Sequence, residues 1–138
     1  MADNITIDVV TLDSVQCAAC GYMMESIAAL PDEVQAMIQY KEWSIKNKDG
    51  IGKFVELAVK VLPTICIERD LVFESIIPHY EELIDEMAKR APTPEMSERI
   101  KSLREVGFQF DKIQENLKKA GAGRSTRFDS TVKAMEDR

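Results

Sequence analysis

This 138-residue chain holds one histidine, His79, and three cysteines. A closed zinc site wants four ligands, and the single imidazole is predicted on a different element from the cysteines, so no metal centre is expected. Three thiols cannot all pair with one another. Missing too is any apolar run near the roughly 18 residues of a membrane span, and the start, Met-Ala-Asp-Asn-Ile-Thr-Ile-Asp, has no basic segment followed by an apolar one. We therefore expect a cytoplasmic protein without a membrane partner. In that reducing compartment paired cysteines are more often redox-active or metal-binding than structural staples. The sequence has no internal repeat and no low-complexity tract.

Positive charge is scarce over the first two thirds of the chain. Residues 1–90 carry 8 Lys and Arg against 16 Asp and Glu, whereas 91–138 carry 10 against 8, within a net charge of −6. An acidic body argues against a nucleic-acid partner, and the excess at the end is too small for a phosphate-binding arm. What is present is ordinary for a globular fold, since 45% hydrophobic and 30% charged residues exclude a largely disordered chain. The length suits one domain with an appendage. We place the domain at 1–91 and a helical extension with a mobile tail at 92–138.

Along the chain, Ile5-Thr6-Ile7-Asp8-Val9-Val10-Thr11-Leu12 is rich in β-branched residues and bounded by Asp13-Ser14, which predicts a strand. Cys20, Met23, Met24, Ile27 and Leu30 then recur at helical spacing up to Pro31, with Met23 facing the core and Met24 facing solvent. Residues 32–37 read as a short helical turn. A second strand is predicted over 40–46, with Trp43 as a core aromatic and Asn47-Lys48-Asp49-Gly50 as the turn behind it. Ile51, Phe54, Val55, Ala58 and Val59 form an apolar stripe that predicts an amphipathic helix over 51–61, stopped by Pro63. Two short strands follow, Thr64-Ile65-Cys66-Ile67-Glu68 and Leu71-Val72-Phe73, joined by Arg69-Asp70. Pro78 suits the first turn of a helix whose inward stripe is Tyr80, Leu83, Ile84 and Met87, with His79 facing solvent. The order is β-α-β-α-β-β-α.

Beyond Ala91, Thr93-Pro94-Glu95 is a capped helix start, with Met96, Ile100 and Leu103 as a thin stripe. Phe108, Ile113 and Leu117 predict one more helix, ending at Gly121-Ala122-Gly123. Residues 92–120 have too little apolar surface for a core of their own and are expected to dock on the body or on a second copy.

Cys17-Ala18-Ala19-Cys20 sits where the first strand gives way to the first helix. Two thiols three positions apart on a helical turn share a face at about 5–6 Å between Cα atoms, within reach of a disulfide. Unpaired N–H groups and the positive end of the helix dipole stabilise a thiolate there, which makes Cys17 the attacking sulfur and Cys20 the resolving one. No Lys or Arg lies within ten residues on either side, whereas Asp8, Asp13 and Glu25 do. With little beyond the helix end to hold the thiolate, a reducing couple is expected, nearer about −270 mV than about −120 mV. Asp8 could accept the proton of Cys20 if it faces inward near the pair; exposure at an edge is the alternative. Cys66 reads as a buried apolar residue.

The CxxC at a strand-to-helix junction, the element order and Pro63 at the start of the third strand together resemble the thioredoxin-like superfamily. Phe73-Glu74-Ser75-Ile76-Ile77-Pro78 before an acidic helix looks closest to its small thioredoxin- or glutaredoxin-like redox-active disulfide proteins, and the likeness covers about residues 4–90. The resemblance implies an α/β thioredoxin fold with a mixed four-stranded sheet flanked by helices. It also implies a cis Leu62–Pro63 bond facing the CxxC and a substrate groove lined by Gln16, Leu62, Pro63 and Thr64. Thioredoxins usually place Trp before the first Cys and Gly-Pro between the pair, where Gln16 and Ala18-Ala19 stand here. The implied activity is thiol–disulfide exchange or electron transfer, with no cofactor, on a protein dithiol or disulfide partner such as a reductase. The alternative is a thioredoxin-fold binding module that carries a thiophilic metal on the cysteines or docks a partner through the C-terminal helices.

Overall fold

A computed structural model of the chain describes residues 4–119, so the expected helix end at Gly121-Ala122-Gly123 and the mobile tail expected at the end of 92–138 lie outside the described residues. Strands β1 (Ile5–Thr11), β2 (Ile38–Ser44), β3 (Thr64–Ile67) and β4 (Asp70–Glu74) form one mixed sheet in the order β2-β1-β3-β4. β1 runs parallel to β2 and antiparallel to β3, and β4 is antiparallel to β3. A parallel pair needs a crossover, and α1 (Ala18–Ala28) with α2 (Asp32–Gln35) supplies it. The parallel register starts at Ile5 opposite Ile38, so β2 begins and ends two residues before the predicted 40–46. Glu68 and Arg69 take φ of 50° and 72° and make the two-residue turn of the β3–β4 hairpin, one position ahead of the predicted Arg69-Asp70.

Alternation along the strands divides the interior in two. Ile5, Ile7, Val9, Ile65 and Ile67 share the main core with Met23 and Ile27 of α1 and with Leu83, Ile84 and Met87 of α4 (Tyr80–Lys89). Val10 and Cys66 point the other way and form a second cluster with Leu57 and Val59, against α3 (Lys48–Glu56). The result is an α/β architecture with helices on both faces of the sheet.

α3 departs from its predicted stripe. Asn47 caps it, its side-chain oxygen accepting the Gly50 N–H at 3.0 Å, so the helix starts inside the predicted turn. It ends at Glu56 because Ala58 adopts a φ of 57°. Ile51 and Val55 are consequently exposed, and Gly50, Phe54 and Leu57 face inward. Pro78 is also displaced from its predicted role: it lies buried one residue before His79, the exposed N-cap of α4, whose N–H donates to Glu82 at 3.0 Å.

The C-terminal helices α5 (Pro94–Ser102) and α6 (Ile113–Lys119) pack on the body of the same chain, and Ile100, Leu103, Ile113 and Leu117 join the main core. The Tyr80 hydroxyl donates to the Leu103 carbonyl at 2.6 Å, and the Tyr40 hydroxyl donates to that of Asn116 at 2.8 Å. The C-terminal end of α1 is closed the same way, with Gln109 N–H on the Ala29 carbonyl and Asn116 Nδ2 on that of Ala28. Because α6 covers α1, Met24 is buried along with Met23, against the expectation that it faces solvent. Among the described residues no helix is long and apolar enough to cross a membrane.

Candidate functional site

The site is built where β1 runs out. After Thr11 the chain makes a tight loop, in which the Asp13 carbonyl accepts the N–H of Gln16 at 3.2 Å and of Cys17 at 2.7 Å. Asp13 Oδ1 also accepts the Val15 N–H at 2.9 Å, and this bond, helped by Lys46, holds the Asp13 carboxyl below its ordinary range. Two strands of contact tie the loop to β2. The Glu42 carboxylate accepts Thr11 Oγ1 at 2.7 Å, Ser14 N–H at 3.0 Å and Ser14 Oγ at 2.8 Å, while Ser44 Oγ donates to the Leu12 carbonyl at 2.7 Å.

Cys17 is the N-cap of α1, extended at φ −94° and ψ 118°, with its sulfur accepting the Cys20 N–H at 3.3 Å. A sulfur in that position satisfies one of the orphan donors of the helix start, and a negative sulfur satisfies it better. Cys17 is half-buried and Cys20 fully buried. The Leu12 N–H reaches the Cys20 sulfur at 3.4 Å. Burial outweighs that donor, and with the hydrogen bond to the Cys17 sulfur it pushes the Cys20 thiol up from 9.0 to about 11.

The remaining residues singled out in the sequence fall into three groups. Gln16 is exposed beside the pair, and its side-chain oxygen accepts the Lys46 ammonium at 2.7 Å. Lys46 also stands 3.4 Å from Asp13. A count of cations along the sequence misses this lysine, which comes from the loop after β2, although Asp13 offsets its charge. Leu62, Pro63 and Thr64 arrive at the same end of the sheet, because Thr64 lies opposite Val10 near the end of β1. The Leu62–Pro63 bond is cis. Pro63 and Thr64 are buried; the Pro63 carbonyl accepts the Ser75 N–H at 2.7 Å, and Thr64 Oγ1 donates to the Val61 carbonyl at 2.8 Å.

Asp8 and Cys66 do not join the pair. Asp8 lies four residues before Leu12, about 13 Å along the strand, on the face opposite α1. It accepts the Trp43 indole N–H at 2.8 Å and stands opposite Cys66 in register, so it is not placed to take the Cys20 proton. Burial first, and the Asp8 charge second, push the Cys66 thiol up to about 12. Trp43 itself is half-buried, flanked by the ammonium groups of Lys41 at 4.3 Å and Lys53 at 4.5 Å.

Sequence reasoning missed a set of exposed apolar side chains at this end of the sheet. Leu12 and Val15 flank the loop before Cys17, Val61 precedes Leu62, and Ile76 and Ile77 follow Ser75, which is hydrogen-bonded to Pro63. They sit in bends, turns and loops with no period to betray them. Among the described residues no group of three His, Cys, Asp or Glu side chains converges on a point. Set against protein-family models, curated proteins and solved structures, the chain matches none of them.

Proposed function

We propose that this protein is a thiol–disulfide oxidoreductase or electron-transfer protein of thioredoxin-like fold, acting in the reducing cytoplasm on a protein dithiol or disulfide partner. The observation that carries the reading is the asymmetry of the pair: a half-buried Cys17 whose sulfur caps α1, beside a fully buried Cys20 held as the thiol to about pH 11. The fold reading is supported by the sheet order β2-β1-β3-β4 and by a cis proline at the sheet end that carries the CxxC.

In this reading the Cys17 thiolate attacks one sulfur of a substrate disulfide, and the other substrate sulfur leaves as a thiolate that takes a proton from solvent. Cys20 then gives up its proton to solvent and attacks Cys17, forming the Cys17–Cys20 disulfide and expelling the second substrate sulfur as a thiolate, which takes a proton from solvent in turn. Two electrons pass from the pair to the substrate, and no cofactor is needed. In this reading the exposed Gln16 and the half-buried Leu62 line the groove, with the exposed Leu12, Val15, Val61, Ile76 and Ile77 as its apolar rim, while Pro63 and Thr64, expected to line it, are buried and support it from beneath. The test is capture with Cys20→Ser, which should arrest a mixed disulfide on Cys17; a variant that accumulates no reducible adduct with a disulfide-bonded protein overturns the reading. Titration of the wild type against dithiothreitol should place the couple nearer about −270 mV than about −120 mV.

A further inference from the structure

Glu42 lies on β2, an edge strand, 22 positions beyond Cys20 in the sequence, yet both oxygens of its carboxylate are given to the end of β1 and the loop that leads from it into Cys17. One of its three donors matters most. The Ser14 N–H belongs to the peptide group that joins Asp13 to Ser14, and the carbonyl of that same group accepts the Cys17 N–H at 2.7 Å and the Gln16 N–H at 3.2 Å. A peptide group is planar and rigid, so holding its N–H fixes the direction of its C=O. A bond from that N–H to a carboxylate is charge-assisted and polarises the group, which makes the carbonyl a better acceptor.

We propose that Glu42 is a positioning residue for the reactive thiol: through the Asp13–Ser14 peptide it sets where Cys17 stands at the head of α1, and so how firmly the Cys17 sulfur is held by the Cys20 N–H. The inference rests on the reading of Cys17 as the attacking thiol. Three converging donors call for a group that only accepts. Glutamine would turn an N–H₂ toward one of them, and aspartate is a methylene too short to reach the loop from the same backbone position. Geometry and charge make opposite demands here, because a negative carboxylate near a thiolate disfavours it whereas a well-placed cap favours it.

The experiment is alkylation of Cys17 by iodoacetamide in the reduced full chain, followed by peptide mass spectrometry from neutral to alkaline pH, in wild type, Glu42→Ala, Glu42→Asp and Glu42→Gln. The expected result is that Glu42→Ala slows neutral-pH alkylation of Cys17 by about five- to tenfold, the factor that one lost cap hydrogen bond corresponds to. Glu42→Asp should slow it too, since it keeps the charge and loses the reach, and Glu42→Gln should fall between. If Glu42→Ala and Glu42→Gln react faster and Glu42→Asp behaves as wild type, charge alone is at work and the proposal is overturned. It is equally overturned if the melting temperature drops while the Cys17 pH profile stays in place. Should the Glu42 variants fail to fold, Ser14→Ala removes one donor of three; about a twofold slowing supports the clamp and an unchanged rate refutes it. Dithiothreitol titration of the wild type stands apart from these outcomes: if Cys17 and Cys20 form no disulfide, the proposed function fails, while the effect of Glu42 on Cys17 reactivity is still read directly.

Discussion

Of the three thiols, Cys17 is half-buried, whereas Cys20 and Cys66 are fully buried and are pushed up to about 11 and about 12. At neutral pH Cys17 should therefore be alkylated at least about tenfold faster than either of the others, and preferential labelling of Cys20 would reverse the assigned roles. The same shifts tie stability to pH. Both thiols have an ordinary value of 9.0, so between about pH 9 and pH 11 the unfolded chain has lost protons that the folded chain keeps. Stability is then complete below about pH 9 and falls above it, by about 1.4 kcal/mol per pH unit for each group titrating in this way. Tyr40 and Tyr80, held neutral chiefly by burial, add to the fall above their ordinary 10.0. Urea unfolding should show a midpoint that drops through this window, and less steeply in Cys66→Ala; an unchanged slope in the variant would remove Cys66 as a source. The spacing of Cys17 and Cys20 and the burial of Cys66 were legible in the sequence, because both follow from local pattern. The partners of Asp8 were not, since Trp43 and Cys66 reach it from neighbouring strands and only the register decides which residues stand opposite one another.

α3 shows how an element is placed by contacts that its own periodicity does not record. Ile51, Phe54 and Val55 make a good stripe, but the sheet-facing side is fixed by Gly50, where an added Cβ would lie 1.7 Å from the Ser44 carbonyl oxygen and 2.3 Å from its carbon. Only a residue without a side chain lets the helix come so close to the end of β2, and the stripe is turned away as a consequence. Gly50→Ala should therefore cost upwards of about 3 kcal/mol in urea unfolding, because the obstacle is backbone and cannot swing aside. Gly52, two residues further on, has nothing within 4 Å of such a Cβ. Gly52→Ala should instead stabilise by about 0.5–1 kcal/mol, the ordinary difference between the two residues inside a helix. Equal effects at the two positions would mean that helix propensity, not the approach to Ser44, governs α3. By contrast β1, the α1 start, the β3–β4 hairpin and the inward stripe of α4 were legible because there the local pattern and the tertiary contacts agree.

The apolar stripe of the extension was readable, but its destination was not, since 92–120 could as well have met a second copy. In the fold it completes the main core: Ile100, Leu103, Ile113 and Leu117 are all buried there, and the carbonyls of Leu103 and Asn116 receive the hydroxyls of Tyr80 and Tyr40. Burying each of those four side chains is worth about 1.5–3 kcal/mol, so together they contribute about 6–12 kcal/mol. That range overlaps the whole stability of an ordinary domain, about 5–15 kcal/mol, whereas the ion pair of Arg104 with Asp85 is exposed to solvent and adds little. A fragment ending at Ala91 should accordingly lose its fixed core rather than persist as a working minimal domain. The expected signs are loss of near-ultraviolet circular dichroism, loss of a cooperative thermal transition, and alkylation of Cys20 and Cys66 at rates close to that of Cys17, because the burial that sets the thiols apart depends on the same packing. A fragment that melts cooperatively and still labels at Cys17 first would show that α5 and α6 are an accessory to a self-sufficient body, and the energetic weight assigned to their four buried side chains would be too large.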